Sequence, residues 1–296
     1  MFKKLRPYMM PFAMTLGAIF YQFFGLLSFL TPYLIFIMLF FTYSKLKLSQ
    51  IRLSRLHLWL ILIQIAGSLT VFLLLSGINI TVAQGAMICM LAPTATSAPV
   101  ITGMLKGNVE SLTAYSLISN LCVALFAPVI FSFVGINQSL PFISSFADII
   151  RPMFTLLLLP LLLAMFLRRV SPASTDKVSQ YSGISFYLWS IALMIVTGRT
   201  VGFIMNQSDG SYLTEILVAL AALVVCVNQF IVGRGIGKHY KDTVAGGQGL
   251  GQKNTILAIW MAQTYLNPIA SIGPGAYVLW QNIINSYQVW RKRKSL

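Results

Sequence analysis

Charge is scarce in this chain, and acidic charge scarcest. Only 9% of its 296 residues are charged, six of them Asp or Glu against 21 Lys and Arg; His occurs twice and Cys three times. With 57% hydrophobic residues and a mean hydropathy of +0.80, a water-soluble domain is excluded, and the bilayer is the expected solvent. The shortage of acids and histidines also excludes chemistry. A Ser/His/Asp hydrolase needs an acid and a base beside its serine, and a metal centre needs spaced His, Cys or carboxylate ligands. The chain offers neither pattern, so no enzyme, metal or cofactor is expected. Cys89, Cys122 and Cys226 fall within apolar runs and read as packing thiols. His57 opens an apolar run and His239 lies in a basic loop, and both read as solvated or interfacial.

Apolar runs are what the chain does have. Ten reach or approach the roughly 17–25 residues that a membrane-spanning helix needs: 9–28, 31–45, 57–76, 81–105, 110–134, 148–168, 181–204, 212–234, 244–262 and 268–290. The second is short and stops at Ser44-Lys45. The first lacks a small-residue cleavage site and precedes further spans, so it is expected to remain as a span. The net charge of +15 is placed in alternate connections. Basic clusters sit at Lys3/Lys4/Arg6, Lys45–Arg55, Lys106, Arg168–Lys177, Arg234–Lys241 and Arg291–Lys294. The connections near Thr31, Gly77, Gln138, Asp209 and Asn267 are almost free of Lys and Arg. That alternation follows the positive-inside rule and puts both termini in the cytoplasm. The excess charge is therefore a topology signal and an attraction to anionic lipid, not a nucleic-acid footprint.

Two runs carry polar interruptions. CMLAPTATSAPVITGMLKGN (Cys89–Asn108) and VAGGQGLGQKNTILAIWMA (Val244–Ala262) place Pro or Gly beside hydroxyls, amides or a charge. Unwound backbone inside a membrane persists only where protein or a watery cavity satisfies its N–H and C=O groups. One such segment in each half marks the central site of a secondary transporter. The expected fold is thus an all-α multi-pass membrane protein forming a single membrane domain over 1–296. It has ten transmembrane helices in two five-helix inverted repeats, about 1–140 and 141–296. The fourth crossing of each half is discontinuous, with Pro93, Pro99, Gly249 and Gly251 at the breaks. The polar candidates around them are Thr94, Thr96, Ser97, Gln252, Asn254, Thr255 and Asn282. Each has a plainer alternative: hydroxyls bonding their own helix, prolines that only kink, amides acting as interhelical glue, glycines at close crossings.

At these residues a resemblance emerges. APTATSAPVITGMLKGN, GQKNTILAIWMA and PGAYVLWQNI (Pro274–Ile283) resemble, in order and spacing, the two crossing segments and the last helix of the bile acid:sodium symporter family. Asn228 falls where that family often has a His-Asn pair. The resemblance implies a panel domain (helices 1, 2, 6 and 7) and a core domain (helices 3–5 and 8–10), with transport of organic anions coupled to sodium. It also puts Gln64 on a sodium-site glutamine and Ser116 on one of two hydroxyl positions of the fifth helix, the other being Leu112. The departures are large. The family's sodium-bridging glutamate aligns with Gly249, its neighbouring glutamine with Lys253, and a Ser-Asn pair with Ala98-Pro99.

A hard cation favours several oxygen ligands, one usually anionic. Glu110, Asp148, Asp176, Asp209, Glu215 and Asp242 all fall in connections or at span ends, whereas Lys253 falls in the middle of a span. An ammonium there costs about 2.5–3.5 kcal/mol to insert, and is functional by default. The expectation is a secondary carrier of a small or amphipathic organic anion in the bacterial inner (plasma) membrane. In it Lys253 replaces the sodium ion or carries a coupled proton, and Gln64, Thr94–Ser97 and Ser116 offer oxygens to the ammonium. Snorkelling of Lys253 to an interface is the plain alternative. The alternatives in function are a sodium-coupled symporter of bile-acid-like anions and a non-transporting receptor or scaffold of the same fold. Membrane lipid is the other expected partner.

Overall fold

The computed structural model describes residues 9–45, 52–95, 97–135, 142–181, 184–206 and 212–294. Nearly all of them are helical and none lies in a strand. Six stretches are long and apolar enough to cross a membrane: Tyr21–Ser44, Arg55–Ser76, Val109–Val134, Phe142–Val170, Ile184–Met205 and Leu213–His239. That is the content of a membrane-embedded, multi-pass protein. Thr96 lies outside the described residues, as do Lys47, Gln138 and Asp209 of the connections.

By contact the chain divides into two compact units. The first comprises residues 1–46 and 150–210. It holds α1 (Met9–Ile19), α2 (Tyr21–Leu26), α3 (Thr31–Ser44), the second half of α8 (Phe142–Leu157), α9 (Leu159–Val170), α10 (Pro172–Gln180) and α11 (Ile184–Met205). The connection expected near Thr31 is instead a 3-10 turn, Leu27–Leu30, running directly into α3. Pro32 fits there because the first turn of a helix has no use for its missing N–H. Helix α11 lies close against α1 and α2. A Cβ on Gly17 would sit 2.5 Å from the Met194 carbonyl, and one on Gly198 2.7 Å from Cβ of Phe24. Arg168 ties the ends of three helices, donating to the Ser44 carbonyl at 2.5 Å and pairing with Asp176 at 3.6 Å.

The second unit comprises residues 47–149 and 211–296. It holds α4 (Arg55–Ser76), α5 (Ile80–Leu91), α6 (Ala98–Met104), α7 (Val109–Val134), the first half of α8, α12 (Leu213–His239), α13 (Thr243–Gly251), α14 (Thr255–Tyr265) and α15 (Ile272–Lys294). Side chains cap its helices, satisfying N–H groups of the first turn. Asn79 accepts from the N–H groups of Thr81 and Val82, and Asn108 from that of Ser111. His57 corrects its solvated reading, being buried with both ring nitrogens engaged. Its Nδ1 accepts from the Ser54 N–H at 3.3 Å, so Nε2 carries the proton and donates to Ser111 Oγ at 3.1 Å. Glu215 lies at a helix end, in the first turn of α12, and is buried there.

Candidate functional site

The helices break where the polar residues are, within a residue or two. Helix α5 stops at Leu91 and α6 starts at Ala98; α13 stops at Gly251 and α14 starts at Thr255. Pro93 lies in the first gap, and Pro99 in the first turn of α6. Gly249 and Gly251 lie in the last turn of α13, which ends at the break, and serve close packing. A Cβ on Gly251 would fall 2.5 Å from the Phe230 ring, and one on Gly249 2.9 Å from Tyr115.

The two gaps meet. Thr94 and Lys253 form an antiparallel bridge, with the Ala95 N–H donating to the Gln252 carbonyl at 2.9 Å and the Asn254 N–H to the Pro93 carbonyl at 2.8 Å. Each unwound strand thus supplies the partners the other has lost. The Thr94 hydroxyl donates to the Gly249 carbonyl at 2.9 Å, and Asn254 caps α14 by accepting from the Leu257 N–H at 3.3 Å.

The end of α5 has orphan carbonyls to satisfy, and a distant side chain reaches each of those exposed by the break. Pro93 has no N–H to offer the Cys89 carbonyl, so Gln229 donates to it at 3.3 Å. The Thr94 N–H turns to Ser119 Oγ at 3.3 Å, freeing the Met90 carbonyl, which accepts from Lys253 Nζ at 2.8 Å. Gln64 donates to the Leu91 and Ala92 carbonyls at 2.7 and 3.1 Å. Its Oε1 accepts from the Tyr115 hydroxyl at 2.8 Å and the Ser119 hydroxyl at 2.9 Å, so the amide is fully used. At the other break the Tyr277 hydroxyl donates to the Gly251 carbonyl at 2.9 Å. Gln281 brackets Lys253, accepting from its N–H at 2.8 Å and donating to its carbonyl at 3.3 Å.

Lys253 is 1% exposed, which removes the snorkelling alternative. Its ammonium lies against the C-terminal turn of α5, where the helix dipole is negative. Of the partners expected for it, Thr96 lies outside the described residues; in place of Gln64, Thr94, Ser97 and Ser116 the ammonium donates to the Met90 carbonyl. Gln252 donates to Ser97 Oγ at 3.2 Å, and its Oε1 accepts from Asn285. Thr255 is buried in the first turn of α14. Ser116 is buried on α7, one turn before the engaged Ser119. Asn228 is exposed and bonds the Val224 carbonyl of its own helix at 2.8 Å. Asn282 donates to the Val278 carbonyl at 2.6 Å. The chain neighbours Gln229 and Gln281 reach the crossing.

Gln64, Tyr115, Ser119, Gln229, Tyr277 and Gln281 assemble the junction, and of these only Gln64 stands out in the sequence. Three buried amide oxygens around it, on Asn120, Gln229 and Gln248, have no donor. Such acceptors call for a water or ligand. A carboxylate in place of Gly249 has no room beside Tyr115. Among the described residues, no group of three or more His, Cys, Asp or Glu could hold a metal ion. Compared with the known family models and with curated protein sequences, the chain matches none.

Proposed function

We propose that the chain is a ten-helix, inverted-repeat secondary carrier that moves a small or amphipathic organic anion by alternating access, without sodium. One observation carries the reading: two broken helices meet over a buried ammonium held at a helix C-terminus. A continuous helix satisfies its own backbone, so six remote side chains devoted to sustaining two breaks imply that the breaks are used. The Lys253 ammonium supplies the positive charge that a bound cation would otherwise bring. A positive charge with no carboxylate bonded to it is complementary to an anion, and Gln64 keeps no free lone pair for sodium.

The division into two units supports a mechanism of moving parts. Spans 1, 2, 6 and 7 fall in the first unit and spans 3–5 and 8–10 in the second, apart from the first residues of span 6. This is the partition that a panel and a core require. Cytoplasmic termini follow from the charge alternation alone.

The test is uptake of small carboxylates and amphipathic anions into proteoliposomes, with sodium and proton gradients imposed separately. Concentrative uptake that survives removal of sodium supports the proposal. Sodium-dependent uptake, or no uptake of any organic anion with intact protein, overturns it.

A further inference from the structure

A cavity of about 610 Å³ opens within the second unit. One wall is the apolar face of α12, with Val227, Phe230 and Ile231; Ile284 of α15 lines the other side. At one end stand Arg234 and Arg291, both exposed, and no acid is among its described lining residues. The chemistry is graded along the cavity, apolar below and cationic at the rim.

The surroundings fix which solvent each end meets. Ile231 is 62% exposed and Ile283 59%, which in a membrane-embedded chain means contact with acyl chains. Tyr287 and Trp290 lie beside the basic rim, their rings 5.9 Å apart, with the Lys294 ammonium 4.2 Å from the Trp290 ring. Aromatic rings with basic residues at one end of a helix mark the headgroup level. The cavity therefore runs from the acyl region to the headgroups, with its cations at the headgroup end.

We propose that this cavity binds an anionic phospholipid, its phosphate on Arg234 and Arg291 and an acyl chain along Val227, Phe230 and Ile231. Basic pockets between membrane helices recognise anionic headgroups in this way, and arginine suits phosphate because its planar fork donates two parallel bonds. A zwitterionic lipid fits the apolar wall equally well but brings its own cation to the basic rim. The proposal rests on the chain's being membrane-embedded and not on its being a carrier.

The rim is also wired to the crossing. Arg234 donates to Gln288 Oε1 at 3.3 Å, and Gln248 donates to the same oxygen at 3.5 Å and to Asn285 Oδ1 at 2.8 Å. Asn285 in turn donates to Gln252, and Gln252 to Ser97, in the two breaks. From the apolar wall, Phe230 lies against Gly251. A headgroup that draws Arg234 from Gln288 thus acts on the chain that ends at the breaks.

The experiment is native mass spectrometry of the whole protein with phosphatidylglycerol, with phosphatidylcholine of the same acyl chains, and with inorganic phosphate alone. Retention of one phosphatidylglycerol in preference to phosphatidylcholine is expected, with no adduct from phosphate. Arg234→Gln with Arg291→Gln should weaken retention roughly thirtyfold. Ile231→Trp, which fills the apolar wall and keeps both charges, should also abolish the preference. If the double variant fails to fold, Arg291→Gln alone, an exposed change, should weaken retention by roughly fivefold. Equal retention of the two lipids, unchanged retention in the variants, or a phosphate adduct as persistent as the lipid overturns the proposal.

Discussion

The two units of this chain are built from similarly apolar helices but bury different things. Among the described residues, the buried polar side chains of the first unit are hydroxyls: Thr31, Ser44, Thr175 and Ser190. The second unit buries Gln64, Asn120, Gln229, Gln248, Gln252, Lys253, Gln281 and Asn285, among others. A buried hydroxyl can return its bond to its own helix, as Ser190 does to the Phe186 carbonyl at 3.1 Å. It costs little and specifies little. A buried amide must find partners on other elements or lose the desolvation energy of two donors and two acceptors. The interior of the second unit is therefore determined by its buried polar contacts, that of the first mainly by close packing.

The largest expected difference between the units comes from Gln64→Leu. The change leaves the Leu91 and Ala92 carbonyls and the Tyr115 and Ser119 hydroxyls without their partner, so a loss of about 4 kcal/mol is expected. Ser190→Ala should stay within about 0.5 kcal/mol. Chemical unfolding in mixed micelles checks both, and comparable losses would erase the distinction. Next is Gly251→Ala, whose new methyl must push the Phe230 ring, for a loss of about 2 kcal/mol. Gly25→Ala, in the first unit, meets nothing within 4 Å and should be neutral or slightly stabilising in the same assay.

A smaller effect sharpens the comparison within one helix. Gln229→Leu should cost about 1.5 kcal/mol through the lost bonds to the Cys89 carbonyl and the Tyr277 hydroxyl. Asn228→Leu replaces an amide exposed on the helix surface and should cost less than about 0.5 kcal/mol. Thermal melts of the two variants in one detergent decide it. The reverse order would mean that α12 turns Asn228, and not Gln229, towards the crossing.

That pair also shows how far the sequence could be read. Apolar runs and their interruptions stand out in composition, so the ends of several long helices and both breaks were legible to within a few residues. The rotation of each helix was not. A soluble helix declares its inner face by contrast with a polar outer one, but in a bilayer both faces are apolar. Rotation alone separates Asn228, which bonds its own helix, from Gln229, which reaches the Cys89 carbonyl. Consecutive residues point about 100° apart on a helix, which is enough to turn a partner of the crossing into a residue bonded to its own turn. Lys253 was legible because a cation in an apolar run is anomalous on any face. Its partner was not, since a backbone carbonyl has no signature in the sequence.

The central claim is that the buried ammonium at the crossed breaks is the working charge of the protein. Its most direct test is anion uptake by Lys253→Met in proteoliposomes beside the unmodified chain, with thermal melts of both. Methionine keeps the length of the side chain, and relief of the buried charge offsets the loss of one bond to the Met90 carbonyl. The stability of the variant should accordingly stay within about 2 kcal/mol of the original. The expected result is a folded protein whose uptake has fallen by roughly a hundredfold or more, as loss of a transport charge worth about 3 kcal/mol implies. Uptake by the folded variant at the rate of the unmodified protein would contradict the claim.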